Sequence, residues 1–124
     1  MLARRVVELD FDELSRWVEV RGGSLPDRDL FPPTGFIVDG VAAGFIYFTN
    51  SLVAIIDCYL SNPFTDKELR GQALDLITVE LIKYAKTHRC KLLKCDTKLE
   101  VIKHRALKHG FKALGAYENF SMEL

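Results

Sequence analysis

The sequence predicts a single α+β domain with a mixed sheet and helices on both faces. Three observations carry this. First, three apolar runs, GFIV (35–38), VAAGFIYF (41–48) and LVAIIDCYL (52–60), are separated by Asp39-Gly40 and by Thr49-Asn50-Ser51. Such short turn segments close antiparallel hairpins, so the runs form a meander. Second, the last run is nearly continuous in apolar residues, which marks a central strand covered on both sides. Third, it is followed by a long helical stretch and another short apolar run, KLLKC (91–95). A strand, a crossover helix and a strand close as a parallel pair.

In chain order, Arg4 to Leu9 reads as a short strand. Asp10 or Asp12 is placed to cap a helix over DFDELSRWVEVRG, with Phe11, Leu14, Trp17 and Val18 on one face and Gly22-Gly23 at its end. Ser24 to Pro33 is rich in proline and aspartate and reads as a loop, either a plain surface connection or a lid. The three strand runs follow. Asp57 to Lys86 comprises the end of a strand, a loop and a long helix with Arg70-Gly71 in its first turn. Leu74, Ile77, Leu81 and Ala85 recur at helical spacing, and Leu76, Val79 and Ile82 add a second stripe, so this helix is expected to be buried on more than one side. After the 91–95 strand, Asp96 or Thr97 caps a helix over Lys98–His109 that stops at Gly110. Phe111 to Leu124 alternates loosely and is expected to supply one or two closing strands.

The chain has 124 residues, enough for one domain with one core. Lys plus Arg number 17 and Asp plus Glu number 17, so the molecule as a whole carries no charge that would commit it to nucleic acid or membrane. No apolar run approaches the ~20 residues of a bilayer span. Cys58, Cys90 and Cys95 are odd in number and lack a CxxC spacing, which suits reduced thiols in a cytosol-like compartment. Basic residues crowd Lys83 to Lys112, where only Asp96 and Glu100 carry the opposite sign. Solvated helix faces, a phosphate contact or a nucleic-acid surface would each account for that. No aromatics are interleaved as base stacking requires.

A strand running into a glycine-bearing helix start sets backbone N–H groups and a positive dipole end beside a sheet, which suits phosphate. Here Glu68-Leu69-Arg70-Gly71-Gln72-Ala73 resembles the R/Q-x-x-G-x-G/A signature of the GNAT superfamily of acyl-CoA N-acyltransferases, with Glu68 in place of Arg or Gln. Pro63 resembles the proline that precedes the signature. His109-Gly110-Phe111 matches the end of the family's second motif, while Ala106 stands where a tyrosine is usual. The element order is similar along the whole chain. LPDRDLFPPTGFIVDG and the strands after it also resemble small acetyltransferase-like proteins of phages and prophages.

The resemblance implies a GNAT-like fold: a mostly antiparallel sheet whose parallel strand pair splays apart. It implies acetyl-CoA as acyl donor, with the diphosphate on Leu69, Arg70, Gly71, Gln72 and Ala73. The pantetheine arm would lie along the edge of Cys58, Tyr59, Leu60 and Ser61. It implies an unidentified amine as acceptor. Asp57 is the candidate base, because a carboxylate in an apolar strand is expected to be partnered or to have a raised pKa. In strict alternation it shares a face with Ile55 and Tyr59. Tyr117, or Tyr47, is the candidate acid in place of the missing tyrosine. Glu68 and Ala106 depart from the family pattern and favour the alternative, a catalytically inactive GNAT-fold binding or assembly module. No metal is expected, since His104 and His109 lack the i, i+4 spacing of two ligands on one helix face. The expected location is cytoplasmic, or virion-associated if phage-encoded, with no membrane or nucleic-acid partner and with a homodimer through sheet edges compatible with the family.

Overall fold

The computed structural model describes residues 1–97 and 99–124. Five strands, β1 (Ala3–Arg5), β2 (Thr34–Val38), β3 (Ala42–Phe48), β4 (Val53–Ser61) and β5 (Leu92–Cys95), lie side by side in chain order. The first four are mutually antiparallel, and β5 runs parallel to β4. The helices are α1 (Phe11–Val20), α2 (Lys67–Thr87) and α3 (Glu100–Lys108). The mixed sheet and its parallel crossover are as the strand runs predict. Asp39-Gly40 makes the tight connection, with Gly40 at φ +71°, where a side chain would be strained.

The core has two halves, one on each face of the sheet. Leu14 and Trp17 of α1 pack with Phe31 against Ile37, Ala43 and Phe45. On the other face, Ala73, Ile77, Leu81 and Ala85 of α2 pack against Phe36, Ile46, Ala54 and Ile56. Burying each large side chain stabilises the fold by about 1.5–3 kcal/mol. The second stripe of α2 stays uncovered: Val79 is exposed, and Leu76 and Ile82 are only half-buried. Helix α3 meets α2 along Gly71 and Asp75, ahead of this stripe in the chain.

Four other expectations need correction. The first strand ends at Arg5, and Glu8–Asp10 is a 3-10 turn. Asp10 is drawn away from capping α1. It binds the Arg4 guanidinium at 2.7 Å and accepts the Val7 N–H at 2.7 Å, and Arg4 also holds Asp39. Helix α2 begins at Lys67, so Arg70 and Gly71 fall beyond its first turn. The expected start of α3 at Lys98 lies outside the described residues. The helix begins at Glu100 after Leu99, whose N–H is held by Thr97 Oγ1. Residues 111–124 form no strand: Gly110 and Gly115 turn the backbone at positive φ, and Leu114, Phe120 and Met122 are exposed.

Candidate active site

The ladder between β4 and β5 runs from Val53↔Leu92 to Ile56↔Cys95 and ends there. Strand β4 continues five residues further, to Ser61, paired among the described residues only with β3. Its second edge is therefore open from Asp57 onward. A bulge shapes this open half. Phe45 pairs with Asp57 and Ala43 with Leu60, so Cys58 and Tyr59 together oppose the single residue Gly44. Cys58 takes φ +58°, an unusual conformation for a residue with a side chain. The Asp57 carboxylate accepts the Cys58 N–H at 2.8 Å and so holds the kink. Gly44 makes room for it: a Cβ there would lie 2.9 Å from Ile77 Cγ2 and 3.0 Å from the Tyr59 ring.

The bulge changes which side chains share a face. Tyr59 turns toward α2, where its hydroxyl meets Thr78 Oγ1 at 2.8 Å, and burial pushes its pKa up to about 12. It does not share a face with Asp57, because strict alternation fails at Cys58. Cys58 and Leu60 pack toward α1 instead. Asp57 is exposed just past the end of the β4–β5 ladder, not enclosed among apolar neighbours. Burial, reinforced by the Asp57 carboxylate, lifts the Cys58 thiol to about 12. Burial also raises Cys95, with Asp96 and Asp57 adding to it. Both thiols stay protonated at neutral pH, which argues against a cysteine nucleophile.

The groups round this opening come from separate elements. Tyr47 of β3 donates to the Leu30 carbonyl of the 24–33 loop at 3.2 Å. Its phenol is raised by burial and then by Cys58 and Asp57. Tyr117 is exposed, and the neighbouring Asp96 carboxylate raises its pKa, with Cys95 contributing. Asp57 thus stands on β4 where the β4–β5 ladder ends, and Tyr117, from the irregular 111–124 segment, stands beside Asp96 just after β5. Behind it, Ile102 and Ala106 of α3 and Phe111 floor the gap, leaving a cavity of about 10 Å³ beside Ile56, Tyr59 and Cys95.

At the start of α2, Asp66 is the N-cap and accepts the Leu69 N–H at 3.3 Å, while the Arg70 N–H is bonded to the Asp66 carbonyl. The amides here without a partner among the described residues are those of Asp66, Lys67 and Glu68, just before the span expected from the motif. Arg70 folds back onto the Thr65 carbonyl and braces the connecting loop. Beside this helix end runs an open cleft of about 630 Å³ lined by Glu68, Gly71, Gln72, Asp75, His104 and Lys108. Asp75 clasps α3 to α2. It takes Arg105, Lys108 at 2.9 Å and His109 at 2.9 Å, and Arg105 also donates to the Gly71 carbonyl at 2.9 Å. Burial opposes the charge on Asp75, but these donors outweigh it and bring its pKa down to about 2. Part of the basic stretch is therefore neutralised within the fold. Sequence reading missed Asp75 because its partners lie more than one element away. Asp66 was legible, as an aspartate immediately before a long periodic helix.

No family model matches the chain, and no curated relative matches it. Solved structures do. An acetyltransferase from Trypanosoma brucei superposes with a TM-score of 0.72 at 14% identity, covering 98% of this chain and 99% of that one. An aminoglycoside 6′-N-acetyltransferase in complex with a bisubstrate analogue built on CoA gives 0.65 at 14%, covering 99% and 98%. A transcriptional regulator from Bacillus halodurans gives 0.68 at 18%, covering 99% of each. These likenesses show the fold: it is that of the GNAT acetyltransferases. No described helix is long and apolar enough to cross a membrane.

Proposed function

We propose that the protein is an N-acetyltransferase that moves an acetyl group from acetyl-CoA to an amine by direct attack. One observation carries the reading: β5 stops at Cys95, paired with Ile56, and β4 runs on to Ser61 with a bare edge. An extended amide chain fits such an edge as an added strand. The pantetheine arm takes the edge Cys58 to Ser61. The diphosphate rests at the start of α2, on the free Lys67 and Glu68 amides and against Leu69, Arg70, Gly71, Gln72 and Ala73, where the helix dipole favours negative charge. Glu68 and Asp66 bring opposing charge to the same end, so the backbone supplies the attraction.

Asp57 receives the proton of the attacking amine, directly or through one water. The amine nitrogen bonds to the thioester carbonyl carbon, the C–S bond breaks, and the departing thiolate takes a proton from Tyr117. A phenol whose pKa is raised by Asp96 keeps that proton ready at neutral pH. Holding amine and thioester in one opening supplies much of the acceleration. Calorimetric titration with acetyl-CoA tests the reading: saturable binding is expected, and none at millimolar ligand refutes it.

A second reading is a binding or assembly module with the same fold and no chemistry. Ala106 favours it, since it lines the gap where related sequences place a tyrosine. Acetyl transfer to any amine in a broad screen excludes it.

A further inference from the structure

We infer that Arg21 is a latch that competes with the acyl carrier for the bare edge of β4, an inference resting on the transferase reading above. The pairing register fixes which groups that edge offers. The Asn62 N–H bonds to the Val41 carbonyl at 2.8 Å, just outside the pair Ala42↔Ser61. In an antiparallel ladder this makes Ala42↔Ser61 a pair that exchanges no hydrogen bonds. The N–H and C=O of Ser61 therefore point away from β3. Strand β5 cannot reach them, because its ladder ends at Ile56.

Arg21 occupies this edge instead. Its Nη1 donates to the Ser61 carbonyl and its Nη2 to Ser61 Oγ at 3.1 Å. The guanidinium spans both oxygens at the end of the edge, where an added strand would run. The contact is built to open. Arg21 is the C-cap that follows α1, it is exposed, and Gly22, at φ +85°, and Gly23 come directly after it. An exposed bond of this kind is weak, so a carrier with several amides displaces it. The latch links the end of α1, on the side of the 24–33 loop, to the carrier's edge of the sheet. It makes entry of the carrier depend on where α1 ends.

The test compares wild type, Arg21→Ala and Arg21→Gln, each titrated calorimetrically with S-acetylpantetheine and with acetyl-CoA. S-acetylpantetheine lacks the diphosphate and reports on the edge alone. Both variants are expected to bind it about fivefold more tightly than wild type, the worth of one net hydrogen bond. A merely structural tie predicts equal or weaker binding, and that result overturns the latch. Arg21→Gln keeps the base of the side-chain stem but is too short and uncharged to span both Ser61 oxygens, and it carries the test should Arg21→Ala unfold. If wild type binds acetyl-CoA but neither variant binds S-acetylpantetheine more tightly, only the latch falls. If neither ligand binds any of the three proteins, the transferase reading falls and the latch with it.

Discussion

Replacing Asp75 with asparagine removes the charge that clasps α3 to α2 and leaves its shape. The carboxylate holds Arg105, Lys108 and His109, and its pKa falls from 3.8 to about 2. A shift of that size corresponds to at most about 2.4 kcal/mol of native-state stability. The side chain is 28% exposed, so solvent screening reduces the expected loss to about 1–2 kcal/mol. The sign follows from a depressed carboxylate. Its contribution is fully present above the unfolded value of 3.8 and disappears as the pH falls through about 2. Urea unfolding at pH 7, pH 4 and pH 2.5 reads it directly. The gap between wild type and Asp75→Asn should be widest at pH 7 and shrink through the two acidic points. A gap that is absent at pH 7, or unchanged at pH 2.5, refutes the clasp. Because α3 floors the opening with Ile102 and Ala106, the variant should also bind acetyl-CoA more weakly.

Asp66→Asn keeps a competent N-cap and removes a negative charge from the start of α2, so acetyl-CoA should bind about fivefold more tightly by calorimetry. Gly44→Ala drives a methyl to 2.9 Å from Ile77 Cγ2 at the bulge and should cost about 1–3 kcal/mol in urea unfolding; a neutral result means the bulge gives way freely. Asp57→Asn should lower kcat about 10²-fold with acetyl-CoA affinity unchanged, and an unaltered kcat removes Asp57 as the base.

The strand runs and turn residues were enough to give the sheet, because burial on one or two faces writes a period into the sequence. GFIV, VAAGFIYF and LVAIIDCYL each became a strand. What escaped was whatever depended on one strand against another. The bulge at Cys58 answers Gly44 on the neighbouring strand, so alternation along β4 alone placed Tyr59 beside Asp57 when it lies on the opposite face. The loose alternation of 111–124 suggested strands, but a pattern without a partner forms none here. At the site, the motif drew attention to Gly71, while the free amides lie earlier, where Asp66 sets the helix start. Asp75 could not be read at all, since it matters through residues far along the chain, and nothing in the pattern along the chain ties Arg21 to Ser61.

A crystal soaked with acetyl-CoA tests the central claim most directly. Density for the pantetheine arm should run along the edge of β4 beyond the end of β5, with an amide bonded to the Ser61 backbone and the diphosphate at Lys67 and Glu68. Coenzyme bound elsewhere, or excluded while this edge stays unpaired, would contradict it.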